Sequence, residues 1–220
     1  MSAKQAEPIM PGRAVFAAQD NVSRETLAAF DIWFNLLTRW NASINLVQKT
    51  SLEQFWTRHA ADSWQITDYI PDGTLRAIDL GSGGGFPGLA VGIWLKTQGK
   101  GGVKLVEAAG KKASFLRTAA REMDLPVNVA AKRAESLPND PYNVITARAF
   151  APLPKLLTYA ERFTGPDTRL ILLKGRQAPT EIKQARTDFD FNCDIFPSIS
   201  DPEGHVLVLS DLRHRQIGTP

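Results

Sequence analysis

Of the residues that most often bridge chains or bind metals, the 220-residue chain holds few: one cysteine, Cys193, and three histidines. A single cysteine excludes an intramolecular disulfide and a thiolate metal cage, and no metal is expected. No run of eighteen or more apolar residues occurs, so no membrane span is expected. The opening "MSAKQAEPIMPGRA" lacks the apolar stretch of a secretory signal, and the expected location is the cytoplasm. Strong charge of either sign is also missing, since the net charge is only +3. The cations in "GKK" (110–112), "AKR" (131–133), "ARAF" (147–150) and "LKGR" (173–176) do fall near predicted element ends. Gathered on one rim they would suit a polyanion, but scattered they only keep the chain soluble. The apolar share, 43%, is that of a chain with a real core.

Residues 1–20 read as a mobile lead-in. From Ser23, Leu27, Phe30, Phe34 and Leu37 recur at helical spacing, with Trp33 and Trp40 widening the apolar face. A second helix is expected from Ser51, whose spacing to Gln54 matches a capping box, and it carries Phe55, Trp56, His59 and Trp64 towards Tyr69. Pro71-Asp72-Gly73 breaks it, leaving 21–70 as a helical segment packed on a domain spanning 71–220. There the period changes. "LRAIDL", "VKLVE", "VNVAAK", "YNVITARA" and "RLILLKG" read as strands alternating with helices, which predicts a parallel sheet in an α/β fold. "FNCDIFPSIS" and "HVLVLS", joined by "DPEG", read as a closing hairpin with one antiparallel strand.

"DLGSGGGFPG" at 79–88 follows the first of these strands. Gly83, Gly85 and Gly88 spell the dinucleotide fingerprint, but two residues late, and the hairpin does not suit the usual dinucleotide fold. Read as acidic-x-G-x-G-x-G, Asp79, Gly81, Gly83 and Gly85 fit without slippage. A carboxylate there would welcome a ligand with a sulfonium and an ammonium, and Glu107, ending the next strand, is placed for a ribose diol. That pair resembles the pattern of S-adenosylmethionine (SAM) methyltransferases. An NAD(P)-dependent oxidoreductase is the competing reading, and a non-catalytic SAM- and RNA-binding ribosome-associated factor is a third.

The blocks "RWNASINL" (39–46), "RHAADS" (58–63), "DLGSGGGFPG", "EAAGKKASFLR" (107–117), "AESLP" (134–138), "ARAF" and "LLKG" (172–175) occur in this order. Together they resemble the glucose-inhibited division protein B family of bacterial 16S rRNA guanine-N7 methyltransferases, over roughly residues 25–212. The resemblance implies a Rossmann-like class I SAM-dependent methyltransferase fold, a mostly parallel seven-stranded sheet ending in a β-hairpin behind an N-terminal helical segment. It implies SAM as methyl donor and, as acceptor, a guanine in the 530 loop of 16S rRNA, presented as rRNA or as the small ribosomal subunit. It maps the donor site onto Gly81, Phe86, Ala134, Glu135 and Arg148. Glu107 stands where aspartate is expected and Lys112 where arginine is common. Lys111, Lys112, Lys174 and Arg176 are the expected RNA contacts, and the protein is expected to be a monomer.

Each candidate has a plainer reading. "NDPY" (139–142) imitates the Asn/Asp-Pro-Pro-Tyr signature but precedes its strand, so a turn is expected. Cys193 is expected as a buried core thiol, and the five tryptophans as core. His59 is either a core histidine holding a backbone carbonyl or, with Arg58 and Asp62, part of a lid over the donor pocket; the resemblance favours the pocket and a catalytic role. Arg148, also a catalytic candidate, could fork onto guanine O6, a phosphate or the donor carboxylate, or merely pair with Glu135. N7 of guanine carries an in-plane lone pair, so the lack of an evident general base is consistent with alignment-driven transfer.

Overall fold

Ser23 starts the longest helix, α2 (Arg24–Asn41), which follows the short α1 (Arg13–Ala17). Its Oγ accepts the Thr26 amide at 3.1 Å, which satisfies one of the free N–H groups of the first turn. At the other end, Asn41 Oδ1 accepts the amides of Leu46 and Val47 and folds the chain back. The computed structural model of the chain describes residues 12–73 and 75–215. Of the expected lead-in, residues 1–11 lie outside these, while Phe16 on α1 is buried against Phe30 and Trp56. An aromatic side chain of that size loses too much by staying in water to leave its segment loose.

The expected second helix is four short pieces. Helix α3 (Lys49–Leu52) has Gln48 before it, and Ser51 bonds the Gln48 carbonyl, so the capping box does not form. Phe55–Ala60 then winds as a π-helix, α4 (Ala61–Trp64) follows, and Gln65–Tyr69 tightens to a 3₁₀ helix. The wide turn is where "RHAADS" begins; such turns often mark functional sites.

The sheet has strands β1 (Arg76–Leu80), β2 (Gly102–Val106), β3 (Val127–Ala130), β4 (Val144–Arg148), β5 (Arg169–Lys174), β6 (Phe189–Pro197) and β7 (His205–His214). Their order is β3-β2-β1-β4-β5-β7-β6, and β7 alone is reversed, antiparallel to β5 and β6. This is the mostly parallel seven-stranded sheet with a terminal hairpin that the sequence predicts. The inner strands are covered on both faces, which explains their unbroken apolar runs. Ala77 belongs to the core shared with α2, α5 (Gly88–Gln98) and α6 (Gly110–Glu122). Ile78 and Leu80 point the other way, to the core under α7 (Leu153–Ala160) and α8 (Ala178–Ala185). Strands β1–β5 all end at one edge, and the candidate donor-site residues of the sheet region lie near it. Tyr142, from "NDPY", is buried at the opposite end, where its amide donates to the Phe163 carbonyl. Cys193 sits half-buried on β6 rather than in the core, because this outer strand is covered on one face only; burial still raises its pKa. Trp33, Trp56 and Trp64 are buried, while Trp40 and Trp94 are only partly so.

Candidate active site

Beyond Leu80 the chain enters the left-handed region three times, with φ of +72° at Gly81, +52° at Gly83 and +99° at Gly85. The three glycines meet different neighbours. A side chain at Gly81 would run into the Phe150 ring, and one at Gly85 into Leu89 and Trp33. A Cβ on Gly83 would have only the Gly81 carbonyl near it, at 3.8 Å, so its bare backbone faces open space. Gly83 N–H donates to Glu107 Oε2 at 3.0 Å, and Ala109 N–H donates to Oε1 at 2.8 Å. One carboxylate therefore ties the glycine turn to the start of α6. From the other side Trp33 Nε1 donates to the Gly84 carbonyl at 3.1 Å, so α2 supports the turn as well. Gly81, Glu107, Ala134 and Glu135 line a single crevice of about 330 Å³. Bare backbone with a carboxylate at the end of parallel strands suits a ligand bearing a nucleoside diol.

A second crevice, of about 650 Å³, adjoins the first and is lined by Arg58, His59, Asp62, Arg148 and Lys174 among others. Here Arg148, the last residue of β4, donates to Asp62 Oδ2 at 3.1 Å and to His59 Nδ1 at 3.0 Å. Its guanidinium also lies 4.6 Å from the centre of the Phe86 ring, on which His59 stacks at 4.7 Å. Asp62 Oδ1 accepts from Ser198 Oγ, Ser200 Oγ and Gln65 Nε2, joining the β6–β7 turn to this cluster. Burial, aided by the charges of Arg148 and Arg58, pushes the His59 pKa down to about 3. His59 is thus both buried and in the crevice wall, and it accepts from a guanidinium rather than holding a backbone carbonyl. Arg148 pairs with Asp62, not Glu135.

Several expectations need correction. Asp79 has no exposed surface: strand alternation turns it under α5, where Thr146 Oγ1 donates to it at 2.6 Å and burial raises its pKa to about 6. It shapes the turn from beneath and meets no crevice. Gly85 serves interior packing, for the reason given above. Phe86 is buried between α2 and the second crevice, stacked on Trp33 at 4.6 Å, and is a support for Arg148 and His59 rather than a wall of the first crevice. Lys174 is not a surface cation: its side chain is 9% exposed and Nζ donates to Glu181 Oε2 and the Ala151 carbonyl, each at 2.7 Å. Lys111 and Arg176 are exposed and Lys112 is half-buried. Among the described residues, no group of three His, Cys, Asp or Glu is arranged to hold a metal ion.

Sequence reasoning left out three contributors, Ser198, Ser200 and Phe150. Ser198 and Ser200 lie more than 130 positions from Asp62 and carry no local signal. Phe150, in contact with both crevices, was marked only by its place in "ARAF". Arg58 was named with His59 and Asp62 in the sequence, and the larger crevice gathers all three.

Comparison with known proteins adds independent findings. The model of the family GidB, rRNA small subunit methyltransferase G, matches residues 26–202. The ribosomal RNA small subunit methyltransferase G of Rhodospirillum centenum is 43% identical over 205 residues, covering 92% of this chain and 93% of its own. That of Parvibaculum lavamentivorans is 41% identical over 207 residues, covering 93% and 91%. Among solved structures, a SAM-dependent methyltransferase from Aquifex aeolicus shares the fold with a TM-score of 0.56 at 14% identity, over 79% of this chain and 97% of that one. A mutant of MtNAS in complex with S-adenosylmethionine also gives 0.56, at 17% identity over 90% and 76%.

Proposed function

The chain belongs to the GidB family, rRNA small subunit methyltransferase G, and from that premise we propose how its two crevices divide the reaction. It is a SAM-dependent methyltransferase acting on small-subunit ribosomal RNA. The smaller crevice holds the donor, beside Gly81 and the open backbone of Gly83, with the ribose on Glu107 and the base beside Ala134 and Glu135. The larger crevice receives the acceptor, N7 of a guanine in the 530 loop of 16S rRNA. The observation that carries this division is the glycine turn tied to Glu107: the open backbone of Gly83 beside a carboxylate, next to a crevice that contains the half-buried Arg148.

SAM supplies an electrophilic methyl group on a good leaving group. The protein's own residues align and shield. No proton has to leave N7 before attack, and His59, neutral and already accepting from Arg148, is not called on as a base. Arg148 is held on three sides by Asp62, His59 and Phe86, so it presents a fixed positive field beside the place where the reactants meet. Fixed alignment of this kind is what a collinear displacement needs. Residues 21–70 form the helical segment that brings His59 and Asp62 to the edge of the 71–220 donor domain. The protein works in the cytoplasm as a monomer.

The test is incubation with labelled SAM and small ribosomal subunits, followed by mapping of the modified base. Label on a 16S guanine at N7 is the expected result. Binding of donor and subunits without turnover would favour the non-catalytic factor instead.

A further inference from the structure

Phe150 lines both crevices, and the backbone explains how. Ala149 holds φ at +52°, a left-handed conformation uncommon outside glycine, so the chain turns sharply between Arg148 and Phe150. The far side of the loop is anchored: Lys174 Nζ donates to the Ala151 carbonyl, and Glu181 Oε2 accepts both Lys174 and the Leu153 amide. Arg148 therefore joins His59 and Asp62, while the Phe150 ring rests on the bare backbone of Gly81, edge-on to Tyr159 at 5.4 Å. Core phenylalanines such as Phe16, Phe30 and Phe55 are sealed to 1% exposure or less, but Phe150 is only half-buried. Its open surface faces crevices rather than packing. In the larger crevice Arg58 is exposed and, unlike that of Arg148, its guanidinium makes no hydrogen bond or ion pair among the described residues.

We propose that Phe150 is the platform on which the acceptor guanine stacks, and that Arg58 meets a phosphate of the same nucleotide. An aromatic ring with an uncommitted guanidinium in one open crevice offers what an unstacked purine nucleotide needs: a π-face for the base and a cation for the backbone. Because the same ring rests on Gly81, a base lying on it is already next to the donor crevice. The inference rests on the reading of the chain as an rRNA methyltransferase and adds where and by which residues the acceptor is held.

The test is steady-state and single-turnover methyl transfer to small subunits by wild type, Phe150→Leu, Phe150→Trp and Arg58→Gln. Calorimetric SAM affinity and thermal melting are followed for each, and subunit binding is titrated against salt. Phe150→Leu should raise KM for subunits roughly 5- to 150-fold, the range of one base–aromatic stack. Phe150→Trp, which keeps a π-face, should stay within about threefold of wild type by the same reasoning. Arg58→Gln should lower the salt slope of binding by about one and Phe150→Leu should leave it unchanged. Equal impairment of the leucine and tryptophan variants would mean that the ring only packs. Loss of SAM affinity with an unchanged acceptor KM would make it a donor wall alone. Either result overturns the platform, and an unchanged salt slope in Arg58→Gln overturns the phosphate contact. Arg58 is exposed, so that arm reads out even if Phe150→Leu melts early. Wild-type protein that methylates no rRNA would remove the functional reading and this inference together. Normal wild-type transfer with Phe150→Leu at wild-type KM would remove the inference alone.

Discussion

Arg148 donates a hydrogen bond to Nδ1 of His59 at 3.0 Å, and a guanidinium has no acceptor to offer in return. The imidazole is therefore neutral and carries its proton on Nε2, in keeping with a pKa pushed down to about 3 by burial and by the adjacent arginines. A histidine in that state neither takes nor gives a proton near neutral pH. It positions the arginine, together with Asp62 and the Phe86 face. Four predictions follow from this arrangement and its surroundings.

Lysine at position 148 keeps a charge but cannot reach Asp62 and His59 through a planar fork. Arg148→Lys should fold, and single-turnover methyl transfer should fall by about 10²-fold, the scale of small misalignments in such reactions. Binding of small subunits at fixed salt should change little, since phosphate contacts dominate it. Parallel turnover and titration experiments decide the point; near-normal turnover would leave Arg148 a structural partner of Asp62.

Removing the carboxylate of Glu107 frees the amides of Gly83 and Ala109 and takes away the proposed ribose contact. Glu107→Ala should weaken SAM binding by about 1–3 kcal/mol, the scale of hydrogen bonds to a charged group. Calorimetry reads this directly, and an unchanged affinity would place the donor elsewhere.

Lys174 is held inside by Glu181 and the Ala151 carbonyl, whereas Arg176 is exposed. Lys174→Met should lower stability by about 1–3 kcal/mol, since the partners it leaves behind are partly buried. It should leave the salt dependence of RNA binding as it was. Arg176→Gln should do the reverse, reducing the salt slope by about one at little cost in stability. Chemical denaturation and salt titrations on the two variants separate the roles, and a reduced slope in Lys174→Met would restore it as a phosphate contact.

Asp79 and His59 oppose each other in the pH dependence of stability. Burial raises the Asp79 pKa from 3.8 to about 6, so the folded state holds its proton longer and stability falls as pH rises through that window. His59 is lowered from 6.5 to about 3, so the unfolded state binds the proton first and stability falls as pH drops below 6.5. Between about pH 4 and 6 the two slopes largely cancel. Asp79→Asn should therefore make stability rise more steeply with pH there than in wild type, and His59→Asn should make it fall. Each change approaches one proton, or about 1.4 kcal/mol per pH unit. Denaturation midpoints across this range check the sign, and parallel curves for all three proteins would contradict it.

The sequence alone determined the order of strands and helices, the reversed last strand and the family. These rest on periodicity, turn residues and short blocks, all local in the chain. The glycine turn and Glu107 were legible for the same reason: a strand end followed by glycines, then the next strand's end, are adjacent positions in any such sheet. What tertiary structure decided was the direction and partner of each side chain. Asp79 looks like a ligand-facing carboxylate in the sequence, but the alternation of β1 turns it inward. Lys174 looks like a rim cation until Glu181 is found beside it. His59, Asp62, Arg148 and Ser200 meet from distant segments, Asp62 and Ser200 lying 138 positions apart, and the π-helical turn that carries His59 has no sequence signature. Phe150 became visible only when Ala149 was seen in a left-handed conformation that sends its ring onto Gly81. Local pattern records which residues can make an element; which face they show, and to whom, is set by long-range packing that no single stretch of the chain contains.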